Sequence, residues 1–321
     1  MNATYKFDTL TPATIPTIYF IGVTTGSSSI RTVFPAWAEQ LGLDKTELVG
    51  IDLPLHADPE EYRRVVTFIK NDALSLGALV TTHKIDLFHA AHDLFDVVDP
   101  LAQLMDEVSC LSKRVGKLIA HAKDPISSGL AIDAFIPADY WESTQAEVFI
   151  LGAGGSAIAI SWYLAQAAEG ANRPRRIVVS NRSTPRLKRL REVHTEIGTD
   201  IPLELVHSPE LAISDAVLET LAPGSLIVNA TGLGKDAPGS PLTDEALFPH
   251  NAIAWDLNYR GELIFLDQAR AATSQDVTTV DGWVYFLHGW TQVIAEVFDI
   301  EIPVMGPEFD LLSDIASATR K

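Results

Sequence analysis

The stretch Val148-Phe-Ile-Leu-Gly-Ala-Gly-Gly-Ser-Ala-Ile-Ala-Ile-Ser-Trp-Tyr-Leu164 is the most informative in the chain. Apolar residues up to Leu151 predict a buried strand, Gly152, Gly154 and Gly155 follow at once, and an apolar helix begins directly after them. Glycine permits the tight turn and lets the backbone approach a pyrophosphate, which then rests on the positive end of the helix. Turns alone can produce a glycine fingerprint, but here the strand before and the helix after are both present. Gly152, Ala153, Gly154, Gly155 and Ser156 are therefore read as a dinucleotide-binding loop, the alternative being a merely structural turn. The next strand ends in Ser180-Asn181-Arg182-Ser183-Thr184-Pro185-Arg186, where an NAD site would present a carboxylate to the ribose hydroxyl. No carboxylate is there, and Arg182 and Arg186 offer guanidinium forks for a 2′-phosphate. This favours NADP over NAD. The competing reading is a solvated helix start, given Lys188, Arg189 and Arg191 nearby.

Outward from this loop, strands and helices alternate on both sides. Downstream the pattern predicts Glu147–Leu151, Ser156–Ala168, Arg176–Ser180, Pro185–Ile197, Leu226–Asn229 and Ala252–Asp256. Upstream it predicts a strand at Thr17–Val23, a Gly/Ser/Thr turn at Thr24–Ser29 and a helix at Phe34–Leu43. A strand at Glu47–Ile51, a helix from Pro59 to about Leu76, and an apolar run Gly77–Thr82 ending at His83-Lys84 complete that half. The fold class is α/β with a parallel or mixed sheet. Asp124–Gly129, Asp-Pro-Ile-Ser-Ser-Gly, reads as turn chemistry, Leu130–Tyr140 as a connecting helix, and the domain boundary falls there. A final helix is predicted at Trp290–Phe298.

A length of 321 residues implies two domains, and 47% apolar with 21% charged residues is a globular composition. The formal charge of −18 argues against nucleic acid as a partner while leaving room for a small anion held by a local basic cluster. No apolar run is long enough for a bilayer, Met1–Thr9 is too polar for a signal peptide, and the single cysteine, Cys110, fits a reducing cytoplasm. His89-Ala-Ala-His92 lacks a completing ligand set, so no metal is expected.

At this point the chain resembles the shikimate dehydrogenase family. The similar segments are Gly152-Ala-Gly-Gly155, Asn181-Arg182-Ser183, Asn229-Ala230-Thr231-Gly232-Leu-Gly234, Asp256-Leu257-Asn-Tyr259, Ser27–Ser29, Val80-Thr81-Thr-His-Lys84 and the Asp124 turn. The resemblance implies an N-terminal α/β substrate domain, completed by C-terminal helices, against a Rossmann domain with the active site in the cleft between them. The boundaries become 1–128 plus 288–321 for the first and 129–287 for the second. It implies Lys84 and Asp124 as a proton relay, and Leu257 and Gly282 with the residues above as cofactor contacts. Ser27, Ser29, Thr81, Ser109, Tyr259 and His288, with Lys84 and Asp124, are the implied substrate contacts. A Lys–Asp pair suits the reaction, because hydride transfer to a ketone needs a proton donor at the forming alkoxide and a base at the same atom in reverse.

The substrate half departs from the family pattern. Ala78-Leu79 stands where an Asn is expected, Ser109 where another Asn is expected, Ala122-Lys123-Asp124 in place of Asn-Thr-Asp, and His288 in place of a Gln. Ile30–Pro35 replaces the Ser-Pro-x-x-His-Asn that follows the paired serines. Arg31 is a candidate counter-ion for a substrate carboxylate at the serine turn, which otherwise is a helix N-cap. His83 and His121 flank the relay residues as further candidates, and Cys110 reads as a small buried hydrophobe. The expected activity is NADP-dependent interconversion of a cyclic keto acid or keto polyol and its alcohol, 3-dehydroshikimate being the family substrate of aromatic amino acid biosynthesis. A paralogue acting on quinate or another cyclitol, and a non-catalytic dinucleotide-binding regulator, are the alternatives. Retention of both Lys84 and Asp124 speaks against the regulator. The protein is expected to be a cytoplasmic monomer or homodimer.

Overall fold

A computed structural model describes residues 4–166, 172–235 and 237–319. The last two residues of the helix expected to reach Ala168, and the first three of the polar start, lie outside them. The chain forms two compact units: one from the described residues through Lys123 together with those from Leu287 onward, the other from Asp124 to Phe286. The divisions thus fall at 123/124 and 286/287, ahead of the 128/129 and 287/288 boundaries expected from the sequence.

The first unit contains β1 (Thr4–Lys6), β2 (Thr17–Gly22), α1 (Ile30–Gln40), β3 (Glu47–Asp52), α2 (Pro59–Asn71) and β4 (Ser75–Val80). Then follow α3 (Lys84–Ala91), β5 (Val97–Val98), α4 (Pro100–Met105), β6 (Cys110–Arg114) and β7 (Lys117–His121). The sheet runs β1-β3-β2-β4-β6-β7-β5 and is mixed, with β6 antiparallel to both neighbours. Helix α1 starts a turn earlier than Phe34 because Ile30, Val33, Phe34 and Trp37 lie at i, i+3, i+4 and i+7 and are all buried. That apolar stripe outweighs Pro35, which sits inside the helix. Helix α2 stops at Asn71, short of Leu76, because the Asp72 carboxylate turns to accept from the amides of Ala13 and Leu74. The β6–β7 hairpin turns at Val115 and Gly116, both at positive φ, the geometry of a two-residue primed turn.

The second unit opens with α5 (Asp124–Asp133) and α6 (Tyr140–Thr144), followed by β8 (Val148–Leu151), α7 (Gly155–Ala165), β9 (Ile177–Asn181) and α8 (Thr184–Ile197). β10 (Leu203–His207), α9 (Leu211–Leu218), β11 (Leu226–Asn229), β12 (Ile253–Asp256), α10 (Ile264–Ala271) and β13 (Thr278–Val280) continue it. Its six strands are all parallel in the order β10-β9-β8-β11-β12-β13. Numbered from β8, that is the doubly wound 3-2-1-4-5-6 order of a dinucleotide-binding fold. One layer of its core joins Phe149, Leu151, Ile227, Phe248, Phe265 and Leu266. Each such side chain contributes roughly 1.5–3 kcal/mol on burial. Helix α11 (Trp283–Phe298) begins in this unit and enters the first at Leu287, and α12 (Pro307–Ser317) follows. α11 starts well before the expected Trp290.

The segment read as a turn at Asp124–Gly129 is instead helical, and the helix expected at Leu130–Tyr140 divides between α5 and α6. Three features make turn-like residues helical here. Pro125 falls in the first turn, where no amide is required. Ser127 and Ser128 donate their hydroxyls back to the Asp124 carbonyl. Gly129 gives the Tyr163 ring of α7 its place, since a Cβ there would lie 2.3 Å from Tyr163 Cε2.

Candidate functional site

In the second unit the strand order reverses between β8 and β11, and the loops leaving their carboxyl ends meet. Gly152 has φ of +105°, and a Cβ on it would stand 2.8 Å from the Ala230 carbonyl oxygen. Only glycine fits that close approach. Gly154 is the N-cap of α7 and supplies no side chain to its first amides, which are left for another acceptor. A cavity of about 290 Å³ opens over this point, lined by Gly152, Ala153, Gly154, Asn181, Arg182, Arg186, Ala230 and Thr231 among others. Arg182 and Arg186 are exposed, and a Cβ added to Gly154 would have Arg186 Nη1 as its nearest neighbour, at 3.8 Å.

Other residues expected to contact a cofactor do not line that cavity. Asn229 is fully buried, holds the Thr231 amide and hydroxyl through its Oδ1, and donates to Asp256 Oδ2 at 3.1 Å. Burial pushes the Asp256 carboxyl up to about 6, against the bonds it accepts from Asn258 and Asn229. Ser183 precedes α8 without a side-chain cap bond, and its carbonyl accepts from Asn181. Gly155 and Ser156 open α7, and Gly232 stands at φ +78° beyond Thr231. Leu257 and Gly282 meet each other: a Cβ on Gly282 would sit 2.0 Å from the Leu257 carbonyl oxygen. Tyr259 packs against Trp283 and Phe286, with ring centroids 5.3 and 4.8 Å away. Asp124 is buried at the start of α5, and its Oδ2 is 3.3 Å from the hydroxyl of Tyr285, a residue that no sequence signal singled out.

In the first unit Lys84 opens α3, half-buried, just after Thr81, Thr82 and His83 beyond the end of β4. The Lys84 carbonyl accepts from the Val108 amide. His83 is buried, its Nδ1 is 3.0 Å from the Tyr62 hydroxyl, and burial lowers its basicity. The turn before α1 is organised by Asp52, which accepts from the Thr25 amide and hydroxyl, while the Ser27 hydroxyl donates to the Thr24 carbonyl. Ser29 occupies the N-cap position of α1 but makes no side-chain cap bond.

Several expected substrate contacts in this unit have internal partners. Arg31, the candidate counter-ion for the serine turn, is buried and donates to the Leu48 carbonyl at 3.2 Å and to Thr4 Oγ1. Buried Ser109 accepts from the Lys123 amide at 2.7 Å. His288 is buried with its ring stacked on Phe309, centroids 4.5 Å apart, and burial lowers it to about 4. His121 pairs with Ser112 Oγ at 2.9 Å and faces Glu296 at 3.5 Å, and burial outweighs that carboxylate in lowering it. Glu296 also receives Lys123 Nζ at 2.5 Å and Arg114 at 2.9 Å. Burial raises the Glu296 carboxyl, but these two cations hold it down at about 2. Cys110 is fully buried and burial raises its thiol. Among the described residues no group of three or more His, Cys, Asp or Glu is placed to hold a metal, and no helix is long and apolar enough to cross a membrane.

No family model matches the chain. It is 26% identical over 252 residues to the shikimate dehydrogenase (NADP(+)) of Lactococcus lactis subsp. cremoris, covering 78% of this chain and 82% of that one. It is 26% identical over 315 residues to that of Methylocella silvestris, covering 95% and 99%. Among solved structures it is similar to the shikimate 5-dehydrogenase of Thermus thermophilus in complex with NADP(H) and shikimate, at 25% identity and a TM-score of 0.67, covering 95% and 99%. The doubly wound second unit and the glycine loop at its switch point agree with these likenesses, which run through both units: over most of its length the chain is similar to NADP-dependent shikimate dehydrogenases.

Proposed function

We propose that the chain is an NADP-dependent dehydrogenase that interconverts a cyclic keto acid or keto polyol and its alcohol. The observation that carries this reading is the cavity at the switch point on which the Gly152–Gly154 loop, Arg182, Arg186 and Thr231 converge. The residues there fit a phosphorylated dinucleotide. The first amides of α7, at Gly155 and Ser156, suit a pyrophosphate, Gly154 leaves the approach open, and the two exposed guanidiniums suit a 2′-phosphate. When bound, the nicotinamide supplies or accepts the hydride. Lys84 gives a proton to the substrate oxygen in reduction and takes it back in oxidation, and Asp124 orients the reacting hydroxyl.

The substrate is a ring carrying hydroxyls, of the class to which shikimate, quinate and cyclitols belong. Shikimate is expected to be a poor one, because Ser109 and His288 stand where the family pattern has Asn and Gln, and Ala78-Leu79 where it has another Asn. A site that loses hydroxyl partners changes what it accepts. The test is a screen of shikimate, quinate and assorted cyclitols with NADP and with NAD, following absorbance of the reduced cofactor. Turnover of at least one ring alcohol with NADP, faster than shikimate, is the expected result. No turnover of any ring alcohol with either cofactor overturns the proposal, and vigorous shikimate oxidation overturns the substrate part alone.

A further inference from the structure

Asp124 is buried, and its backbone carbonyl already takes the hydroxyls of Ser127 and Ser128. Its carboxylate reaches in another direction, to the phenol of Tyr285 on α11, 3.3 Å from Oδ2. The same phenol oxygen lies 3.5 Å from Ser156 Oγ, in the first turn of α7 beside the glycine loop. An ionised carboxylate only accepts, so the phenol proton points to Asp124 and Ser156 is left to donate its own proton to the phenol oxygen. The hydroxyls therefore form a short directed chain from the dinucleotide-loop helix to the acid.

Packing fixes the phenol in this place. Gly282 lets the start of α11 press onto the Leu257 carbonyl, where any Cβ would collide. The Asp281 carboxylate accepts the Trp283 amide at 3.0 Å, and the Trp255 ring meets the Tyr285 ring edge to face at 6.0 Å. The tyrosine thus has few other positions, and its hydroxyl stands against a carboxylate that protein packing has withdrawn from water.

We infer that Tyr285 is a positioning residue that aims the Asp124 carboxylate and links it through Ser156 to the dinucleotide loop. The inference rests on the reading of Asp124 as part of the proton relay. Tyr285 acts through Asp124 and on nothing else in the reaction, so its loss and the loss of Asp124 must not multiply.

The experiment is a double-mutant cycle on the working ring-alcohol substrate, with kcat, both KM values and the thermal midpoint measured for Tyr285→Phe, Asp124→Asn and the double variant. A hydrogen bond to a charged group is worth enough that Tyr285→Phe should lower kcat by about tenfold. The KM for NADP should stay within about twofold, the midpoint should barely move, and Ser156→Ala should lower kcat by a smaller factor. On the Asp124→Asn background Tyr285→Phe should change kcat by less than about twofold. A tenfold loss on both backgrounds would show that Tyr285 serves another group and overturns the inference. So does a normal kcat in Tyr285→Phe beside an impaired Asp124→Asn, which leaves the relay reading standing. A normal kcat in Asp124→Asn itself overturns the relay reading, and this inference with it.

Discussion

The two units treat their polar candidate residues in opposite ways. In the second, Arg182, Arg186 and Thr231 face a cavity. In the first, Arg31, Ser109, His121 and His288 turn inward onto a carbonyl, an amide, a carboxylate and a ring. A dinucleotide loop is written in backbone requirements, and these leave glycines where a side chain would collide. A substrate pocket is written in side-chain directions, for which residue identity alone leaves no mark. Lys84, proposed above as the proton donor, sets the largest expected effect. Lys84→Ala should lower kcat by about 10²–10⁴, the usual range for general acid–base catalysis, with NADP affinity unchanged. Steady-state kinetics beside a cofactor titration checks it. A near-normal kcat with a raised KM would assign Lys84 to binding, and the first unit would then hold the substrate without supplying the proton.

The inward-turned cluster around Glu296 should be worth more to stability than to catalysis. Glu296→Gln leaves Lys123 and Arg114 facing each other without their shared carboxylate, whose side chain is 19% exposed. Breaking a buried pair costs about 3–5 kcal/mol, and partial exposure discounts this to about 2–3 kcal/mol. The sign with pH follows from the carboxyl being held down. Its stabilisation is complete above its ordinary value of 4.5 and disappears as pH falls from there towards about 2. The thermal midpoint of Glu296→Gln should therefore be lower at neutral pH and converge with the parent in acid. Equal midpoints at neutral pH would mean that the cluster is ornamental to the fold.

How much of this was legible beforehand follows the same division. The glycine loop, the strand before it and the helix after it were readable at Val148–Leu164 because one backbone geometry demands all three. Asp124–Gly129 was misread because Asp, Pro, Ser and Gly favour turns locally. The Tyr163 ring that makes a glycine useful within α5 comes from a distant segment. The β6–β7 hairpin carried no turn signature, since Val115 is a residue that rarely adopts positive φ. Tyr285 was invisible for a related reason. Its importance lies in what its hydroxyl meets, Asp124 and Ser156, each more than a hundred residues away in sequence.

Asp256 sharpens the comparison, as the second unit's own inward-turned acid at a strand end. Its carboxyl is pushed up to about 6 from 3.8, chiefly by burial. The folded state therefore holds a proton that the unfolded state has lost between those values, and stability falls as pH rises from about 4 to about 6. Roughly two units correspond to about 2–3 kcal/mol at most. His194 and His288, lowered to about 4 by burial, act in the opposite direction over the same range. The comparison must therefore be made against Asp256→Asn, which keeps both histidines. Subtracting the two midpoint profiles should leave a difference that changes between about pH 4 and 6.5 and is flat above. A flat difference throughout would mean that Asp256 stays ionised in the fold.

The smallest effect tests the outward-facing side, where exposure limits what each charge contributes. Arg182 and Arg186 line the cavity beside Gly154 and are exposed, so each is screened by water and salt. A charge-assisted contact to a 2′-phosphate in that setting is worth on the order of 1–2 kcal/mol, or about tenfold per residue. Arg182→Ala and Arg186→Ala should each raise the KM for NADP by about that factor and leave the KM for NAD nearly unchanged, because NAD lacks the phosphate. The preference for NADP in kcat/KM should fall about tenfold in each and further in the double variant, with kcat on NADP retained. Added salt should weaken NADP binding in the parent and do so less in the variants. If both arginines are removed and the preference for NADP persists, the 2′-phosphate is recognised elsewhere, by backbone amides or by Ser208 and Ser214 on the same cavity wall. The loop would then still bind the dinucleotide, but the feature that chose between its two forms would have been misplaced.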